Sequence, residues 1–231
     1  EDFILAKKLI IESASKNPSD AMAYYIHNPI ENRLVALISN YIITPNQLTI
    51  IVNVLAYIVT ALFFLGYLLP ASILTFIVGI ADGLDGKLAR VKLQTSRVGF
   101  LEHSFDLLFE LSWFIALACF IYKVSQNIIP LILSLFIILF IVFYRNIYDQ
   151  FRKATGRSLD DSGSFERRFK RIAGRRNLYN IPIFIGVILS LFYSSSVLLY
   201  SLIFILFHSG VTAIIYSTSA IRHLRLIDIG K

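Results

Sequence analysis

Four carboxylates stand at the ends of two hydrophobic stretches, where a membrane-spanning chain carries charge only at a cost. Asp82 and Asp85 are three residues apart in Ala81-Asp82-Gly83-Leu84-Asp85-Gly86-Lys87-Leu88-Ala89-Arg90. Glu102 and Asp106 are four apart in Gly99-Phe100-Leu101-Glu102-His103-Ser104-Phe105-Asp106. On helices, each spacing puts its pair on one face. If the two helices are adjacent and antiparallel, four acidic side chains converge on one spot. Ionisable groups inside a span usually mark an ion, proton or substrate site. Hard oxygen donors without cysteine suit Mg²⁺, Mn²⁺ or Ca²⁺ better than zinc. Paired carboxylates on facing helices can hold two metals inside a bundle. A purely structural reading pairs Asp82 or Asp85 with Lys87 or Arg90 as a capping salt bridge. That serves for one aspartate but not for four carboxylates at matched spacing.

The neighbours of these acids extend the site. Gly86 follows Asp82 by four residues, and Ala89 follows Asp85 by four. Both share the carboxylates' face and carry almost no side chain. They admit either a flat ligand against the backbone or a closely packed helix. Arg90 adds a fixed cation suited to a phosphate. His103, beside Glu102, reads as a hydrogen-bonding neighbour rather than a ligand.

The elements that must carry these residues are membrane helices. The chain has 231 residues, of which 56% are hydrophobic, above the usual share for a soluble domain. The run from Gln47 to Ala81 holds no charged residue. A span needs about 20 apolar residues, so most of two spans fit there. The pattern predicts an all-α polytopic membrane protein with six spans, near 47–66, 70–91, 97–123, 127–148, 179–198 and 200–222, with the last division near Tyr200. Residues 1–46 form an N-terminal juxtamembrane segment. In it Ile30, Leu34, Leu37, Ile38 and Tyr41 recur at helical spacing, which predicts an amphipathic interfacial helix. A helix packed on a further soluble domain is the competing reading. Thr44-Pro45-Asn46-Gln47 marks a helix start. Residues 47–225 make up the main domain and 226–231 a tail.

The net charge of +7 sits between spans, which argues for topology and against nucleic acid. Lys7, Lys8, Lys16, Arg33, Lys87, Arg90, Lys92, Arg97, the 149–178 loop, Arg222, Arg225 and Lys231 fall on one side, and only Lys123 on the other. The positive-inside rule then predicts an even number of spans, both termini in the cytoplasm and the carboxylates near the cytoplasmic face. The lone Cys119 excludes an internal disulfide and reads as packing. No signal-peptide pattern is present, and the chain begins at Glu1 rather than a methionine.

The segment Asp82-x-x-Asp85-Gly86-x-x-Ala89-Arg90, followed by two acids four apart, closely resembles the CDP-alcohol phosphotransferase signature. Thr44-Pro45-Asn46-Gln47-Leu48-Thr49 is similar to the segment that opens the family's first span. The resemblance covers about residues 20–225. It departs where the family has Gly-x-x-x-Asp-x-x-x-Asp: Gly99 precedes Glu102 by one residue fewer, and a glutamate replaces the third aspartate. The resemblance implies an enzyme in which an alcohol displaces CMP from a CDP-linked donor, helped by Mg²⁺ or Mn²⁺, with two ions expected. It implies that Asp82, Asp85, Glu102 and Asp106 are metal ligands and that Asp106 is also the general base. It implies a nucleotide site of Asn46, Asp82, Gly86, Ala89 and Arg90. Glu110, one turn beyond Asp106, is expected to tune the site or to hydrogen-bond within the bundle.

The acceptor is read from the basic segment between Arg145 and Arg176. It suits either anionic lipid headgroups or a phosphorylated polyol held by Arg145, Arg167 and Arg176. Tyr144-Arg145 and Gly163-Ser164-Phe165-Glu166-Arg167 resemble members that use inositol phosphate. The donor expectation is CDP-inositol or a CDP-lipid. The Ser15–Asn46 stretch resembles the linker that joins a cytidylyltransferase to this domain. Expected partners are therefore both substrates, membrane lipids, a fused or associated cytidylyltransferase and a second copy of the chain. Alternatives are a phospholipid synthase with an unphosphorylated acceptor, a divalent-metal transporter, and a non-catalytic membrane anchor. A transporter predicts acids near the bilayer midplane and gives no reason for Gly86, Ala89 and Arg90.

Overall fold

A computed structural model describes residues 9–14, 21–94 and 101–230, except for the side chain of Glu102. The described residues are mostly helical, with no strand among them. Lys7, Lys8, Lys16, Arg97, Gly99 and Lys231 lie outside this set. Two compact units emerge, Glu1–Leu117 and Ala118–Lys231.

In the first unit a π-helical turn, Ala23–His27, runs into α1, Asn28–Ile38. Helix α2 is Pro45–Leu65, α3 is Leu68–Val91, and α4, Glu102–Ser125, continues into the second unit. The start of α2 follows the sequence expectation. Thr44 caps it reciprocally: the Gln47 N–H donates to the Thr44 hydroxyl at 3.3 Å, and the Thr44 N–H donates to Gln47 Oε1 at 3.0 Å. Pro45 occupies the first turn, where its missing N–H costs nothing. Gly66, at φ 90°, ends the helix in the left-handed region. So short a turn makes α2 and α3 antiparallel neighbours. Val52, Ala56, Val59 and Phe63 form the buried stripe of α2. Trp113 of α4 donates to the Ala56 carbonyl at 3.0 Å, and Thr60 and Ser112 join at 2.6 Å. Such bonds between membrane helices contribute about 0.6–2 kcal/mol each.

The second unit holds α5, Ile129–Thr155, a 3₁₀ turn, Leu159–Asp161, the short α6, Ser164–Phe169, α7, Arg176–Phe192, and α8, Val197–Ile229. Helix α5 continues beyond its expected end, so Asp149, Arg152 and Lys153 are helical rather than in a loop. The last division falls at Tyr193–Ser196, not near Tyr200. The reason is local. The Ser194 hydroxyl accepts the Ser196 N–H at 3.3 Å, competing with helical bonding. Val197-Leu198-Leu199-Tyr200 then continues as uninterrupted apolar helix.

Among the described residues, five helices are long and apolar enough to cross a bilayer: α2, α3, α4 from His103, α5 and α8. Helix α7, with 17 residues, is shorter. The outward faces are apolar too: Ile50, Ile51, Val54, Ile58, Phe64 and Leu65 of α2 are exposed. A helix apolar on all sides belongs in a lipid or protein interior. The chain is an integral membrane protein.

Candidate functional site

The acidic motif occupies the last turns of α3, and its faces separate at about 100° per residue. One arc carries Asp82, Asp85, Gly86 and Ala89. A second carries Gly83, Lys87 and Arg90. A third carries Leu84 and Leu88, both buried.

Asp85 is the best enclosed of the acids, at 2% exposed. The Thr49 hydroxyl donates to its Oδ2 at 2.6 Å, and the Gly86 N–H to its Oδ1 at 2.6 Å. The carboxylates of Asp82 and Asp106 both act electrostatically on Asp85. Asp82 and Asp106 are thus neighbours of Asp85, one from its own helix and one from α4. Asp106 lies in the first turns of α4, with His103 Nδ1 3.7 Å from its Oδ2. Glu102 is the first residue of α4, one turn before Asp106, and its side chain falls outside the described residues. Glu110 is buried one turn further on. The four expected acids lie in the last three turns of α3 and the first two of α4.

Among the described residues, no three acidic, histidine or cysteine side chains are gathered closely enough to hold a metal ion. The donors nonetheless fit a hard divalent cation. Asp85 is buried with two half-buried carboxylates near it, and all their donor atoms are hard oxygens. Lys87 does not neutralise them. Its ammonium donates to Asn28 at 2.7 Å and Asn32 at 2.8 Å, and pairs with Glu31 at 3.0 Å.

Gly86 distinguishes the two readings of the small residues. Among the described residues, a Cβ there would meet only the Arg90 Nη1, at 3.5 Å, so none of them demands glycine. The open space suits a ligand against the backbone. Ala89 is half-buried on the same arc, and Asn46 is exposed in the first turn of α2. Arg90 is half-buried, and its Nε donates to the Ala14 carbonyl at 2.6 Å. Thr49 is the residue that sequence reasoning missed. Its signal was its place one turn after Asn46 within the quoted Thr44–Thr49 segment.

In the second unit, Arg145 is half-buried on α5, Arg176 is half-buried at the start of α7, and Arg167 is exposed on α6. The Arg167 Nε donates to the Gly163 carbonyl at 3.3 Å. The acids of this region are paired locally. Asp160 accepts from Arg175 at 2.6 Å and from the Tyr216 hydroxyl at 2.8 Å. Glu166 accepts from Ser219 and, at 2.6 Å, from Arg222, with His223 Nε2 3.1 Å away. A surface groove on α8, lined by Thr218, Ile221, Arg222, Arg225 and Leu226, contains none of the four carboxylates.

The chain is 34% identical over 100 residues to the bifunctional IPC transferase and DIPP synthase of Thermococcus kodakarensis, a match covering 43% of this chain and 23% of that protein. It is 32% identical over 136 residues to the protein of the same name from Aquifex aeolicus, covering 56% of this chain and 30% of the relative. These matches thus span less than a third of either relative. The fold is similar to that of the phosphatidylinositol phosphate synthase of Mycobacterium tuberculosis solved with CDP-DAG bound, at a TM-score of 0.64 and 20% identity, over 84% of this chain and 93% of that one. Residues 42–212 match the CDP-alcohol phosphatidyltransferase family along its conserved domain, and the chain belongs to that family.

Proposed function

We propose that this chain transfers a substituted phosphate from a CDP-alcohol to the hydroxyl of an inositol phosphate, releasing CMP. The observation that carries the reading is the buried Asp85, with Asp82 and Asp106 as acidic neighbours, beside the open backbone at Gly86. Asp82, Asp85, Glu102 and Asp106 would hold Mg²⁺ or Mn²⁺, as two ions. A bound divalent metal neutralises the diphosphate and the departing CMP. Thr49 and the Gly86 N–H orient the Asp85 carboxylate. Asn46, Asp82, Gly86, Ala89 and Arg90 receive the nucleotide. Asp106 takes the proton from the attacking hydroxyl. The new bond joins acceptor oxygen to the phosphorus distal to cytidine, and the bond from that phosphorus to the oxygen of CMP breaks.

The acceptor assignment is supported by the names of the relatives and by the cations Arg145, Arg167 and Arg176. The donor is CDP-inositol or a CDP-lipid. The charge placement supports six spans, with α7 as the fifth, and a site open to the cytoplasm. Exposed Ile30, Leu37 and Tyr41 support an interfacial setting for α1. The domain limits 1–46, 47–225 and 226–231 follow the same logic, and a cytidylyltransferase upstream would supply the donor.

The test incubates purified protein with inositol phosphate and either donor, with Mg²⁺ or with excess EDTA, and identifies the products. A phosphodiester of inositol phosphate plus CMP is expected, only with metal. Full activity in EDTA, or CMP release that ignores inositol phosphate, overturns the reading.

A further inference from the structure

Two residues of the motif, Gly83 and Lys87, have no part in the proposed chemistry. They lie four apart, on the arc of α3 turned away from the carboxylate arc. Lys87 is only 2% exposed, which a lysine seldom is unless paired. Its three partners, Asn28, Glu31 and Asn32, all come from the first turns of α1. Gly83 explains how Glu31 gets there. A Cβ at that position would lie 2.5 Å from the Glu31 carboxyl carbon and would push the carboxylate from this place. Beneath this polar contact is an apolar one: Ile11, Val35 and Leu84 pack together, flanked by Leu34, Leu48, Ala81 and Val91.

We infer that Lys87 is a positioning residue: clasped by Glu31, Asn28 and Asn32 in the cleft left by Gly83, it fixes the rotation of α3 about its axis, and so aims Asp82 and Asp85. The inference rests on the proposed function for what those aspartates hold. The geometry gives the reason. Helix α3 is gripped on two separate arcs, by α1 through Lys87 and by α2 through the Thr49–Asp85 hydrogen bond. One grip alone leaves a helix free to roll. Two grips on different arcs set its rotation, and a roll of a few degrees displaces both carboxylates together. The buried ion pair acts as a registry device, the best-attested use of such pairs. Helix α1 is therefore part of the site rather than a detachable anchor.

The test uses the full chain. Mn²⁺ is titrated by electron paramagnetic resonance against the parent, Asp85→Ala, Lys87→Met, Glu31→Gln and Gly83→Ala, below any thermal transition. Supporting groups behind metal ligands typically change affinity by about 10–100-fold. The three clasp variants are expected to weaken Mn²⁺ binding by about tenfold or more, and to speed amide exchange over residues 82–90, with helical content unchanged. Lys87→Met strands the Glu31 carboxylate and risks misfolding, so Glu31→Gln carries the test if it does. Parent-like Mn²⁺ affinity in both Glu31→Gln and Lys87→Met overturns the clasp. If Asp85→Ala binds Mn²⁺ as the parent does, the metal reading falls instead. Amide exchange then judges the clasp alone, and unchanged protection over 82–90 overturns it.

Discussion

At the scale of single residues, the proposed roles divide between binding and turnover. Asp106→Asn keeps the size and loses the basicity. It is expected to lower turnover by about 10²–10⁴-fold, the usual worth of a general base, while CMP binding stays near that of the parent. Single-turnover rates and equilibrium CMP binding separate the two, and near-normal turnover rejects Asp106 as the base. Gly86→Leu tests the opposite case. Among the described residues, its Cβ meets only the flexible tip of Arg90, so the variant should fold and extract normally yet lose CMP binding. Unchanged CMP affinity would reassign Gly86 to helix packing. The carboxylates and Gly86 were legible because their spacing is short-range, within one helix turn. The partners of Lys87 were not. Asn28 and Asn32 lie 59 and 55 residues away in sequence. Periodicity alone offered Lys87 to the nearer aspartates, and only tertiary packing assigns it to Glu31.

At the scale of elements, helix starts were more readable than helix ends. Thr44, Pro45 and Gln47 write a capping box in local sequence, and the structure forms it. The end of α5 is set by Gly156 at φ 69°, and the start of α8 by competition between the Ser194 hydroxyl and the backbone, neither of which hydropathy registers. The short α6 is fastened to α8 through a group that titrates. Burial pushes the Glu166 carboxyl up, but the Ser219 hydroxyl, its own backbone N–H and His223 outweigh burial and hold it below the ordinary value. A depressed carboxylate stabilises the fold above its unfolded pKa, near 4.3 for glutamate, and the contribution disappears as pH falls through the lower folded value. The α6–α8 clamp should therefore hold at neutral pH and loosen only in more acidic solution, below the usual carboxylate range. Amide exchange over 164–170, corrected for its intrinsic pH dependence, measures this. Glu166→Gln should remove the acid-dependent part and weaken protection at pH 7. A clamp that instead loosens between pH 6 and 8 would assign the titration to another group.

At the scale of the whole molecule, composition fixed the class and charge placement fixed the expected orientation, but the number of crossings turns on α7. Its 17 residues reach about 26 Å at 1.5 Å per residue, against a hydrocarbon core of about 30 Å. That is the lower limit of a span, met without strain if Arg175 and Arg176 reach the interface at one end and Tyr193 lies at the other. If α7 crosses, the turn at Tyr193–Ser196 lies on the same side as the turn at Gln126, and opposite the basic segment near Ser158. If it does not, the Tyr193–Ser196 turn stays with the basic segment, and α8 alone carries the chain across. Cys119 is the native thiol, so Cys119→Ser gives a clean background. Single cysteines at Gln126, Ser158 and Ser195 are then labelled in intact cells with a membrane-impermeant maleimide. Labelling at 126 and 195 without permeabilisation, and at 158 only after it, is expected. Protection at 195 alongside 158 would leave five crossings, place the C-terminus outside, and break the even parity on which the cytoplasmic placement of both termini rests.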